Sequence, residues 1–232
     1  MAIQTLAQYT INPLSGTFGT GNVQWFRSSG TFTIPAGIGK VRARMWGGGA
    51  YNGGGGGFSL IAVYNLYGVT SIPITVGSGG TSSSSTGGTS SFGSYASATG
   101  GLGSWTGGSG VNGDINTSGG TGTGAGAASI YGNGGGSTTY TQGGAGAGGG
   151  STSYSGFLTS PTLYGAAAVL GPNMLVSNFN LDWLGTGCGS TQYLQGNNGG
   201  GGASSSYIQG NFPGGGGGTS GNGAPGLVIV EW

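Results

Sequence analysis

The chain has 232 residues, 63 of them Gly and 7 Pro, with only four Lys or Arg against three Asp or Glu and a formal net charge of +1. A single cysteine, Cys188, cannot close an internal disulfide, and the absence of His removes His-based catalysis and the usual zinc sites. So small a charge also argues against nucleic acid, because phosphate binding needs a basic face and Arg27, Lys40, Arg42 and Arg44 are few for that purpose.

Gly and Pro together make up about 30% of the chain, a share that usually signals low complexity or disorder. Disordered chains are normally held open by charge, whereas here 3% of residues are charged and 10% are aromatic. Ordering a glycine in regular structure costs roughly 0.5–1 kcal/mol more than ordering Ala, so this composition carries an ordering cost of roughly tens of kcal/mol. Two uses would justify it: flexibility, or backbones packed so closely that any Cβ would clash. The aromatic content and low charge favour close packing.

Residues 1–24 mix polar and apolar positions with turn formers ("NPLSGTFGTGN") and suit a short extended arm. "MAIQTLAQYT" has neither the cationic start nor the apolar stretch of a signal peptide, and no run approaches about 18 apolar residues, so a soluble chain without a membrane span is expected. "GTFTIP" then reads as a strand and "AGIG" as a turn. "KVRARMW" is a second strand, with Val41, Ala43 and Met45 on one face and Lys40, Arg42, Arg44 and Trp46 on the other. The two form a predicted hairpin with one buried face, the cations lying on a solvated one. "FSLIAVY" and "SIPITVG" are further strands separated by the turn-like "NLYGVT", and "TSSFGSYASATGG" adds a fifth and sixth.

At the far end "GLVIVEW" is a continuous β-branched run, best buried between neighbouring strands. It is expected to return to the first sheet, against Phe32–Ile34 or Val41–Met45, so that both chain ends build one base. Between them, residues 101–225 alternate glycine blocks with spacers holding one or two aromatics, without the Gly-X-Y register of collagen. Polyproline-II rods side by side would pair N–H with C=O where no Cβ separates them. The stretch 157–185 is apolar enough for a small satellite core.

Catalytic chemistry has little to work with. The only acids, Asp114, Asp182 and Glu231, lie far apart in sequence, no pair is placed for general acid–base work, and each is expected to be solvated or capping. The glycine runs lack the helix or Gly-Lys-Ser/Thr ending of a phosphate loop. Cys188, in "GTGCGS", has no basic neighbour in sequence to activate it. What recurs is Tyr or Trp flanked by Ser, Thr, Asn and Gly, a composition that antibody loops use for rigid contact area. These aromatics either pack on the lattice or contact a ligand.

Trp25, "SGTFTIPAGIGKVRARMWGGG", "FSLIAVYNL", "IPITVGSGG", "GGTSSFGS", "ATGG" and the terminal "GAPGLVIVEW" together resemble the glycine-rich domain of tail-fibre and tail-tip proteins of tailed bacteriophages. The likeness covers about residues 25–101 and 213–232. The layout of glycine blocks and spacers is similar to that of the distal adhesins of T-even-like phages. It implies an all-β fold: a small β-sandwich formed by both chain ends (25–100 and 226–232), carrying a polyproline-II-like glycine lattice with aromatic loops. Residues 101–225 would be the receptor-binding region and 1–24 an attachment arm.

The implied protein is a non-enzymatic virion adhesin without cofactor, made in the host cytoplasm. It would bind a bacterial outer-membrane protein or surface glycan, with Trp105, Tyr131, Tyr140, Tyr154, Tyr193 and Tyr207 as candidate anchors. Its other implied partners are phage tail proteins and further copies of itself in a homotrimer. The alternative is a purely structural tail-tip or decoration protein.

Overall fold

Ten strands and no helix are seen among the residues that the computed structural model describes, namely 22–130, 132–136 and 209–232. One antiparallel sheet has the order β1-β10-β3-β4-β9: β1 (Val23–Phe26), β10 (Leu227–Glu231), β3 (Lys40–Trp46), β4 (Phe58–Tyr64) and β9 (Ile115–Thr117). The other runs β2-β5-β6-β7-β8: β2 (Gly30–Thr33), β5 (Ser71–Thr75), β6 (Ser90–Phe92), β7 (Ala96–Ala98) and β8 (Gly110–Val111). Alternation sends Val41, Ala43, Met45, Val63, Val228 and Val230 inward from the first sheet, against Phe32, Ile72, Ile74, Phe92, Ala96 and Ala98 of the second. The fold is thus the β-sandwich expected from the sequence.

The expected hairpin between the second and third strands does not form. β2 pairs with β5, opposing Phe32 to Ile72, while β3 pairs with β4 along its whole length, from Lys40↔Tyr64 to Trp46↔Phe58. Residues 34–39 therefore cross from one sheet to the other. β4 offers β3 seven partners and a ladder that continues beyond the strands, which the four residues of β2 cannot match. β10 lies between β1 and β3, setting Val228 opposite Met45 and Glu231 opposite Arg42.

The solvated face expected for the cations is also overturned. The outer face of the first sheet buries Trp46, Phe58, Leu60, Leu227 and Ile229, and Trp46 Nε1 donates to the carbonyl of Ala128 at 3.1 Å. Arg44 is 1% exposed and Glu231 is fully buried. Arg42 Nη2 lies 2.6 Å from Glu231 Oε2, and Arg44 pairs with the other carboxylate oxygen. β10 brings this acid across from Arg42, 189 positions away in the sequence, and the pairing offsets part of the cost of burying its charge. Asp114 does cap, accepting the N–H of Ala62 at 2.7 Å.

At one end of the sandwich the strands run on into glycine-rich extended stretches that pair with one another. Starting from Trp46, Gly47 donates to Gly57, Gly48 to Gly88 and Gly49 to Ala224; then Ala50 donates to Gly54, Tyr51 to Ser85 and Asn52 to Gly221. Residues i and i+3 thus reach the same neighbouring stretch, which is the three-residue period of a polyproline-II helix.

The stretch 53–57 is surrounded on all sides. Its N–H groups reach Leu102 and Thr99, Gly120 and Gly214, and its carbonyls accept from Ala125 and Ala128, Gly47 and Ala50, and Gly108. Six neighbouring rods hold it, and the backbone satisfies itself with no side chain in between. A Cβ placed on Gly54, Gly55, Gly56 or Gly57 would lie closer than 3.0 Å to another segment's backbone, a separation real Cβ atoms essentially never show.

Two expectations follow for stability. Gly55→Ala should cost about 3 kcal/mol or more, because the atoms it meets are the backbone of Gly126 and Ala127 and cannot rotate away. Gly30→Ala, whose new Cβ would meet only the Phe26 ring at 3.7 Å, should leave stability unchanged or raise it by about 0.5 kcal/mol. Equal melting of the two variants would show that the glycines do not pack. Deleting residues 226–232 removes an internal strand, leaving β1 without a partner and β3 with an open edge, so the truncated chain should be insoluble; a soluble product with a cooperative melt would contradict this pairing.

Candidate functional site

The rods reverse direction at the end of the lattice far from the sandwich, and these reversals form a tip. Four of them are at 50–54, 81–84, 102–106 and 218–221, closed by the bonds Ala50 N–H to Gly54 O, Thr81 to Ser84 in both directions, Leu102 N–H to Thr106 O, and Gly221 N–H to Gly218 O. Another lies at 121–124, where Gly122 donates to the carbonyl of Trp105 at 2.7 Å. Glycine makes such sharp reversals accessible, and Gly122 and Gly124 have φ of 103° and 66°.

Of the predicted anchors, Trp105 stands at this tip. It is half-exposed, beside the exposed Leu102, and its backbone is held at φ 70° by donating to the Leu102 carbonyl and accepting from Gly122. A bulky residue at positive φ stores strain of about 1–3 kcal/mol, kept in place here by the bonds on either side. Tyr131, Tyr140, Tyr154, Tyr193 and Tyr207 lie outside the described residues, as do Asp182, Cys188, the stretch 157–185 and residues 1–21 of the arm. The described chain stops and resumes near the tip: a Cβ on Gly136 would meet the Thr121 carbonyl at 3.1 Å, and Gly210 donates to Asn222.

Sequence reasoning passed over the neighbours of Trp105. Thr81 to Thr86 are six consecutive exposed hydroxyl residues between two glycine pairs, a signal visible as "GGTSSSSTGG". The Ser85 side chain packs against Gly103 of the Trp105 turn, closely enough that a Cβ on Gly103 would overlap it. Tyr51 donates its N–H to the Ser85 carbonyl at 2.9 Å.

Among the described residues, every charge lies away from this tip. Lys40, Arg42, Arg44 and Glu231 are on the central strands, Asp114 is in the turn between β8 and β9, and Arg27 stacks over the Phe212 ring. No group of three or more candidate metal ligands occurs among the described residues. At the opposite end, Asn22 and Trp232 exchange backbone hydrogen bonds of 3.1 Å, and Tyr64 and Tyr67 are exposed.

A family model described as a glycine-rich domain matches residues 26–232. No curated protein matches the chain.

The positions of two tryptophans separate a surface role from a packing one. Trp105→Ala should change stability by no more than about 0.5 kcal/mol, as exposed substitutions do, while Trp46→Ala, which empties the outer-face cluster, should cost about 3–5 kcal/mol. Thermal melts of both variants decide it, and a comparable loss for Trp105→Ala would make that indole a packing element.

Proposed function

The chain belongs to the glycine-rich domain family, and from that premise we propose that it is the host-attachment component of a bacteriophage tail, binding a bacterial surface receptor through the tip of its lattice. The observation that carries this reading is the polarity of the molecule. One end joins the described chain to its N-terminal arm at Asn22, and the other presents fixed reversals with an exposed, strained Trp105. Binding tips concentrate their energy in a few aromatics, and a backbone already held by hydrogen bonds on both sides loses little further entropy on contact.

The resemblance of the strand motifs to tail-fibre and tail-tip proteins supports the same reading. Residues 1–24 would join phage tail proteins, placing the protein in the virion after synthesis in the host, and three copies would associate at a fibre end. It acts by binding and not by catalysis. Nucleic acid is not an expected partner, since Arg42 and Arg44 are engaged with Glu231 inside the fold.

Purified full-length protein should bind host cells saturably and block adsorption of the phage that carries it. Protein that neither binds cells nor reduces adsorption would replace this role with that of a structural tail-tip or decoration subunit.

A further inference from the structure

From the row of reversals around Trp105 we infer that the tip is a subsite for neutral sugar rings, an inference that rests on the host-attachment reading and names the class of receptor it meets. Three chemical features coincide there. The first is an exposed indole on a fixed backbone: Trp105 is 49% exposed, and its main chain is bonded on both sides, to Leu102 and to Gly122. Such a ring offers an electron-rich face to the C–H groups of a pyranose, on a main chain that needs no further ordering.

The second feature is a strip of hydroxyls on the turn that adjoins the Trp105 turn. The turn 81–86 exposes six Ser and Thr side chains, and Ser85 packs against Gly103, so the strip and the indole belong to adjoining reversals. Hydroxyls both donate and accept, which suits a ligand that is itself dense in hydroxyls. Thr121, exposed on the reversal that bonds Trp105 from the other side, extends the same chemistry.

The third is the absence of charge from the described tip. The described Lys, Arg, Asp and Glu residues lie on β3 and β10, in the turn between β8 and β9, or just after β1, where Arg27 stacks over Phe212. A phosphorylated or acidic saccharide would gain nothing there from ion pairing. A protein loop would gain from a deeper apolar groove than Leu102 and Trp105 form alone. An uncharged hexose or deoxyhexose with one C–H-rich face and a hydroxyl rim matches all three.

The test uses the full chain on an array of neutral hexose and 6-deoxyhexose oligosaccharides, with sialylated and sulfated glycans alongside. Neutral glycans should bind, with affinity unchanged between about 50 and 500 mM salt because no exposed charge takes part. Trp105→Ala should weaken that binding at least about 30-fold, the scale of an interface anchor. Trp105→Phe should restore most of it, and Ser83→Ala with Ser85→Ala should lose about tenfold, with every variant melting as the parent does.

Undiminished binding by Trp105→Ala, or binding confined to the acidic glycans, overturns the inference. Saturable attachment to host cells that protease abolishes and periodate leaves intact also overturns it, with a protein receptor in place of a glycan and the host-attachment role still standing. If neither glycans nor cells are bound, both readings fall.

Discussion

Everything in this molecule depends on backbones that approach one another without side chains between them. A polyproline-II rod has no internal hydrogen bonds, so each N–H and C=O must find a partner outside its own segment or in water. In 53–57 those partners lie on six neighbouring rods, which is possible only because glycine presents no Cβ to hold them apart. A net hydrogen bond contributes only about 1 kcal/mol, but a buried orphan costs about 1–3, so the arrangement forms as a whole or not at all. The alanines fully buried in the lattice, Ala50, Ala125, Ala127 and Ala128, mark places where one methyl group still fits.

Such a lattice has little to fix its own register, since glycine carries no pattern of apolar and polar faces. The sandwich supplies it. The ladder of β3 and β4 ends at Trp46↔Phe58 and continues directly as the bond from Gly47 to Gly57, so the rods inherit the alignment of the strands. β10 ties the two ends of the chain into that frame, and its Glu231 between Arg42 and Arg44 is compatible with one strand register only: a shift by one residue would turn the carboxylate toward Val41, Ala43 and Met45. The buried ion cluster therefore serves alignment at least as much as stability.

A frame of this kind delivers stiffness to its reversals. Each turn is gripped by rods that are themselves bonded on several sides, so residues at the tip can hold conformations an isolated loop would abandon. Asn52, Trp105 and Ser220 all have positive φ, and all three lie at or beside reversals. Three kinds of interaction are separated along the axis of the molecule, with apolar packing in the sandwich, backbone hydrogen bonds in the lattice and exposed side chains at the reversals.

The sequence by itself determined the strand-forming runs, the all-β class, the burial of "GLVIVEW" and the use of glycine for close packing, because these follow from local alternation and from the cost of ordering so much glycine. It also marked Trp105 as a spacer aromatic between glycine blocks. Tertiary structure alone decided that residues 34–39 cross between sheets, because a short turn is compatible with either route and the longer partner for β3 lies further along the chain. It alone decided that Arg44 and Glu231 are buried together, since their contact joins residues 187 apart in sequence and no local pattern encodes that. The neighbourhood of Trp105 was illegible for the same reason: Ser85 and Gly122 reach it from separate rods, and which rods adjoin is set by hydrogen bonds between backbones that carry no sequence signal of their own.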